Sequence, residues 1–113
     1  MIYIASPYLD PDPKVMEKRF EFVEAYMAHG LKEYRPLTSD DFLISPIVLF
    51  HEMAKKYNLP KDAVFWWNYN ISLMRLCSHM QVLQIPGWKN SMGVQREIGF
   101  MTGCKKLIDY IEV

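Results

Sequence analysis

Ser91, Gly93 and Glu97, in the segment Pro86-Gly87-Trp88-Lys89-Asn90-Ser91-Met92-Gly93-Val94-Gln95-Arg96-Glu97-Ile98-Gly99, have types and a spacing that can do chemistry. Ser91 is a helix-capping residue at the head of an apolar-periodic run, so free backbone amides open the helix there. Those amides carry the positive end of the helix dipole and can seat an anion such as a phosphate. Glu97 follows Gly93 by one helical turn, and helical side chains lean toward the N-terminus. Its carboxylate therefore hangs over a position without a side chain. At about 1.5 Å of rise per residue, carboxylate and anion seat stand about 6 Å apart. That is close to the reach from a nucleotide's 5′-phosphate to its anomeric carbon. A carboxylate so placed can attack that carbon, as glycosidase nucleophiles do. The plainer reading of the same residues makes Glu97 a solvated, dipole-friendly side chain. In it Gly93 serves close helix–sheet packing and Ser91 is an N-cap alone.

The elements that must position these residues follow from hydrophobic periodicity. Met1 to Ala5 is short and apolar and runs into Ser6-Pro7, which predicts a buried strand ending in a loop. Asp12-Pro13 is a cap-and-proline helix start. Met16, Phe20, Val23 and Met27 then share a helical face, and Gly30 offers a stop. Leu31 to Asp41 reads as polar and irregular, with Asp40-Asp41 a polar loop. Leu43 to Ile47 reads as a second strand ending at Pro46, and Val48 to Tyr57 as a short helix. Asp62 caps a further helix reaching about Cys77. Met80 to Ile85 is the next strand, Ser91 opens a helix that Gly103 ends, and Leu107 to Ile111 is the last strand. Strands alternating with helices imply an α/β fold, a small Rossmann-like parallel sheet with helices on both faces. Ligands of such sheets bind beyond the carboxyl ends of the strands. Here those ends are Ala5-Ser6-Pro7-Tyr8 and the segment from Pro86 to Ser91.

Composition bounds the alternatives. A chain of 113 residues, half of them hydrophobic, suits a single domain with one core over 1–113. Lysines and arginines number 13, as do the acids, so no electrostatic footprint for nucleic acid or an anionic membrane surface stands out. No apolar run approaches a membrane span, and Met1-Ile2-Tyr3 leading straight into a strand predicts a chain without a secretory signal. Cys77 and Cys104 lack metal-ligand spacing and read as small packed hydrophobes, which fits a reducing cytoplasm.

Two stretches resemble the signatures of the nucleoside 2-deoxyribosyltransferase superfamily, which includes the 2′-deoxynucleoside 5′-phosphate N-hydrolases. They are Ile2-Tyr3-Ile4-Ala5-Ser6-Pro7-Tyr8 and Ser91-Met92-Gly93-Val94-Gln95-Arg96-Glu97-Ile98-Gly99. A pattern of Ser45-Pro46-Ile47, His51, Trp66, Pro86-Gly87-Trp88 and Ser91 is similar to a poorly characterised branch found in phages and bacteria. The resemblance spans nearly the whole chain. It implies a flavodoxin-like sheet, a covalent glycosyl-enzyme on Glu97, and Tyr3 orienting that glutamate. It also implies no metal or organic cofactor, and a homodimer or higher homo-oligomer in which a neighbour helps close each pocket.

Within that superfamily, transferases of free nucleosides carry aspartate at the Ser91 position, and hydrolases of monophosphates carry serine. A carboxylate would repel a phosphate, whereas a hydroxyl can donate to it. Ser91 therefore favours a nucleotide over a nucleoside. The aspartate that usually handles the base and its proton corresponds to Asn70, which can hydrogen-bond a base but cannot protonate it. Cleavage of the N-glycosidic bond, by water or by transfer to a second base, is thus one expectation. A nucleotide-binding protein without turnover is the other.

Several residues have weaker claims. Ser6 and Tyr8 lie in the first strand-end loop, Tyr8 as a base-stacking candidate. Arg19, one turn inside the first helix, can reach a phosphate or remain a surface cation. Trp88 in the crevice loop is the better stacking candidate, since of the adjacent Trp66 and Trp67 at least one belongs to the core. His51 is either a ligand contact or a satisfied core histidine, and His29 and His79 read as structural.

Overall fold

The computed structural model describes residues 1–33 and 42–113. Strand β1 (Ile2–Ala5) is buried along its whole length because both of its faces are covered. Alternation sends Tyr3 and Ala5 to one side and Ile2 and Ile4 to the other. Helix α1 (Pro13–Lys32), strand β2 (Leu43–Ile44), helices α2 (Pro46–Lys56) and α3 (Ala63–Leu76) and strand β3 (His79–Leu83) follow. A 3-10 turn (Trp88–Asn90), helix α4 (Met92–Gly103) and strand β4 (Leu107–Ile111) complete the chain. The sheet order is β2-β1-β3-β4 and every pairing is parallel. This is the expected small parallel sheet, in a flavodoxin-like strand order.

Helices cover both faces. Tyr3, Ala5, Met80 and Val82 pack beneath α3 and α4 through Met74, Val94 and Met101. Ile2, Ile4, Leu83 and Ile85 pack beneath α1 through Val23, with Val48 of α2 alongside. Lys106 ties the layers at the far end, its Nζ donating to the carbonyls of Met74, Arg75 and Cys77 at the close of α3. No described helix is long and apolar enough to cross a membrane.

The structure moves several expected boundaries, each for a local reason. Gly30 does not stop α1, which continues to Lys32. A Cβ at Gly30 would lie 2.9 Å from Leu43 Cδ1, so the glycine permits close approach to β2. The second strand ends at Ile44, not at Pro46. Ser45 caps α2 by accepting from the Val48 amide, and Pro46 takes the first helical turn, the same cap-and-proline start as Asp12-Pro13. The third strand runs His79–Leu83 in place of Met80 to Ile85. Cys77 is buried as expected, but Cys104 is exposed at the C-cap of α4; both are free thiols. Leu31 and Lys32 belong to α1 and Glu33 caps its end; residues 34–41, with Asp40-Asp41, lie outside the described residues.

Candidate active site

The loops that leave the carboxyl ends of β1 and β3 meet in front of α4 and border a pocket of about 350 Å³. That volume is ordinary for a small-molecule site (~300–1,000 Å³). Ser6 and Tyr8 reach it from the first loop, Pro46 and His51 from α2, Asn70 from α3, and Ser91, Gly93 and Glu97 from the start of α4. The sequence brings α4 here because Ser91 caps it at the mouth, its hydroxyl oxygen accepting from the Val94 amide at 3.3 Å. The hydroxyl's own proton remains free to donate. Met92 and Gly93 open the helix, so no carbonyl a turn earlier within it receives their amides.

Glu97 is only 6 % exposed, and the Tyr3 hydroxyl, on the central strand beneath it, donates to its Oε2. No cation stands against it among the described residues. Burial therefore pushes its carboxyl from 4.5 up to about 8, although the Tyr3 hydrogen bond offsets part of the rise. Burial first, and then the neighbouring Glu97, raises the Tyr3 hydroxyl well above its ordinary 10, so Tyr3 stays a donor. This is not the solvated glutamate of the plainer reading. Keeping an unpaired carboxyl inside a pocket costs stability, and such groups cluster at functional sites.

Asn70 occupies the pocket wall, and its Oδ1 is buried with no hydrogen-bond partner among the described residues. A buried acceptor left so is costly, and a donor entering the pocket would satisfy it. Ser6 is buried, and its hydroxyl donates to the Pro7 carbonyl at 3.3 Å.

Two expected contacts lie outside the pocket lining. Arg19 donates from Nη1 to the carbonyls of Tyr8 and Leu9 and from Nη2 to that of Pro86. It clips the two site-bearing loops together. Gly87 makes room for this clip: its φ is +96°, and a Cβ there would lie 2.9 Å from Arg19 Nη2. Trp88 packs against the core, its ring 5.7 Å from that of Tyr110. The aromatic side of the pocket is instead Trp66 stacked on Phe50, with ring centroids 4.9 Å apart and a tilt of 13°. The Trp66 indole donates to the Pro60 carbonyl at 2.7 Å, which fixes the ring. Trp67, its neighbour, is the core member of the pair, with the Arg96 guanidinium over its face at 4.3 Å.

Sequence reasoning did not single out Phe50, Lys61 or Asn90, all of which line the pocket. Asn90 sits beside the Ser91 cap, which was a usable signal. Lys61 just precedes the Asp62 cap of α3 and pairs with no carboxylate among the described residues. Nothing local in the sequence marks it or Phe50. His29 is exposed near the end of α1, and the Nδ1 of His79 lies 2.9 Å from Ser78 Oγ, so neither enters the site. The nearest set of metal-ligating atoms among the described residues is Glu17, His51 and Glu52. Both His51 nitrogens are already engaged, by Tyr8 and by Glu17.

Residues 1–112 match the profile of a family described as a domain of unknown function (DUF1937). No curated protein matches the chain.

Proposed function

The chain belongs to the DUF1937 family, and from its pocket we propose that it cleaves the N-glycosidic bond of a nucleoside 5′-monophosphate. The observation that carries this reading is the buried Glu97 carboxyl, bonded to Tyr3 and lining a pocket of about 350 Å³. When ionised, Glu97 attacks the anomeric carbon and displaces the base, leaving the sugar phosphate esterified to the carboxyl. Water, or a second base, then resolves the ester and restores Glu97. The Ser91 hydroxyl, the amides opening α4 and the Lys61 ammonium hold the phosphate. Trp66 and Phe50 offer the base a stacking wall, and Asn70 Oδ1 accepts a hydrogen bond from it. The resemblance of Tyr3, Ser91 and Glu97 to the deoxyribosyltransferase signatures supports the same roles. No step calls for a metal or organic cofactor.

The test is direct. Incubation with a panel of ribo- and deoxyribonucleotides, followed by chromatography, is expected to show free base. A second reading, nucleotide binding without turnover, is favoured by Asn70, which stands where an acid would be useful. Calorimetric binding of a nucleotide with no base released from any member of the panel would establish that reading and end the first.

Ser91 reads the phosphate in this proposal, and Ser91→Asp isolates that role, because aspartate caps a helix as well as serine does. The carboxylate repels a phosphate at close range, so monophosphate affinity should fall roughly 100-fold more than affinity for the matching nucleoside. Titration of both ligands into both proteins checks this, and equal losses would remove Ser91 from the phosphate site.

The protein is further proposed to act as a homodimer or higher homo-oligomer in a reducing cytoplasm, where Cys77 and Cys104 remain thiols. Val64, Phe65 and Tyr69 are exposed beside the aromatic wall of the pocket, a face that a second copy would cover. Light scattering should return at least twice the 13.4 kDa of one chain.

A further inference from the structure

The cleavage proposed above leaves one step without an agent. A purine or pyrimidine is a poor leaving group as an anion, so a proton must reach a ring nitrogen as the glycosidic bond opens. Asn70 has no acidic proton, and Glu97 is occupied as the nucleophile. The pocket wall holds a second polar chain that no step has used. Tyr8 and His51 both line the pocket. The Tyr8 hydroxyl lies 2.6 Å from His51 Nδ1, and His51 Nε2 lies 2.7 Å from Glu17 Oε2. Phe20 stacks on the imidazole at 4.2 Å, and the Tyr8 ring meets it edge-on. The imidazole is thus fixed in a buried slot with both nitrogens aimed.

We propose that Glu17, His51 and Tyr8 are the proton relay of this pocket, with Tyr8 the acid that protonates the departing base and His51 and Glu17 acting through it. The proposal rests on the N-glycosidase reading and supplies the donor that Asn70 cannot be.

The chemistry follows from which atoms can carry protons. Glu17 is a carboxylate and only accepts, so it keeps a proton on His51 Nε2. The hydrogen bond from His51 holds the Glu17 carboxyl below its ordinary value, so it remains ionised. Nδ1 then faces the Tyr8 oxygen, donating to it when the ring is imidazolium and accepting from it when the ring is neutral. In the first half-reaction Glu97 forms its bond to the anomeric carbon and the carbon–nitrogen bond breaks, its electron pair going to the base. That base nitrogen takes the Tyr8 proton, and Tyr8 oxygen takes the Nδ1 proton of the imidazolium. In the second half-reaction water attacks the same carbon and the Glu97 carboxylate departs. The water proton passes to Tyr8 oxygen, the Tyr8 proton passes to Nδ1, and the imidazolium is restored. The sum is nucleotide plus water giving free base plus sugar phosphate.

Tyr8 alone would be a weak acid. Burial raises its hydroxyl, and the charges of Glu17 and Glu52 raise it further. It gives up a proton only as His51 replaces it, so the histidine is required. The charged groups facing His51 are Glu17 from α1 and Glu52 from its own helix, with Lys55 of α2 3.6 Å from Glu17. Glu17 is 36 % exposed, which opens the outer end of the relay to solvent.

The test separates proton donation from mere support. Wild type, Tyr8→Phe and His51→Gln are compared on a nucleotide that the wild type cleaves and on the ring-N-methylated, cationic form of that nucleotide. The methylated base leaves neutral and needs no proton. Tyr8→Phe should lower kcat/KM by roughly 100- to 10,000-fold on the ordinary nucleotide. On the cationic form it should fall by less than about 3-fold, with spontaneous hydrolysis subtracted. His51→Gln should show the same split, and Tyr8→Phe keeps the test decisive if His51→Gln fails to fold. Equal losses on both substrates, or no loss on the ordinary one, would overturn the relay and leave the N-glycosidase reading standing. Absence of base release by the wild type from every nucleotide would overturn both.

Discussion

Glu97→Gln is expected to lower base release by roughly four to six orders of magnitude, the scale on which removal of a nucleophile or its activating partner acts. Nucleotide affinity should change by no more than a few-fold, because the amide keeps the carboxyl's shape and can still accept from Tyr3. The wild-type pH profile carries a second signature of the same group. Attack requires the carboxylate, and burial has moved its ionisation from 4.5 up to about 8. On the cationic, N-methylated substrate, where no acid is needed, kcat/KM should therefore rise about tenfold per pH unit and level off near pH 8. Tyr3→Phe removes the hydrogen bond that opposes this rise, so its profile should shift to higher pH. A profile already flat from pH 5 would mean that the attacking carboxylate is ionised throughout and that burial does not raise it.

The same substitution should stabilise the unliganded protein, and by an amount that depends on pH. Glu97 holds its proton more tightly folded than unfolded, since its folded value of about 8 lies above the unfolded 4.5. The folded state therefore binds more protons through that window, and stability falls as pH rises across it. The loss is complete above about pH 8 and absent below 4.5. Each pH unit inside the window corresponds to about 1.4 kcal/mol. Glutamine does not titrate, so Glu97→Gln should gain on wild type by several kcal/mol between pH 5 and pH 8. Denaturant midpoints of both proteins across that range measure the difference. A constant gap would mean that Glu97 is ionised in the folded state throughout. The two expectations belong together: a residue that weakens the fold and is indispensable to turnover is one kept for its chemistry.

The sequence by itself determined the order of the elements and where in the fold a candidate site lies. Caps and prolines act within a few residues of where they stand, so Asp12-Pro13, Asp62 and Ser91 each mark the helix start that forms. Apolar runs of strand length, separated by helical patterns, imply a parallel sheet, and a parallel sheet puts its crevice at the strand ends. Ser6, Tyr8, Ser91, Gly93 and Glu97 were legible there because each sits at a strand end or in the first turns of the helix that follows. Ser45-Pro46 carried the same local signal as Asp12-Pro13, and weighing it as a helix start would have given the boundary the structure has.

Tertiary structure decided what depends on residues far apart in sequence. That Glu97 is buried follows from the Tyr3 strand lying beneath it, 94 positions away, and burial is what moves its ionisation toward 8. Arg19 is a clip because Gly87 brings the Pro86 carbonyl to it across 67 positions. Trp66 faces the pocket and Trp88 the core because α2 brings Phe50 beneath Trp66, while β4 brings Tyr110 beside Trp88. His51 meets Glu17 and Tyr8 only when α1 and α2 pack side by side, so a histidine that looked like either core or ligand contact becomes the middle of a chain. Local propensity fixes where a chain turns and coils. Desolvation and the pairing of distant polar groups arise only once the layers close, and those are the forces that raise Glu97 and give His51 its two partners.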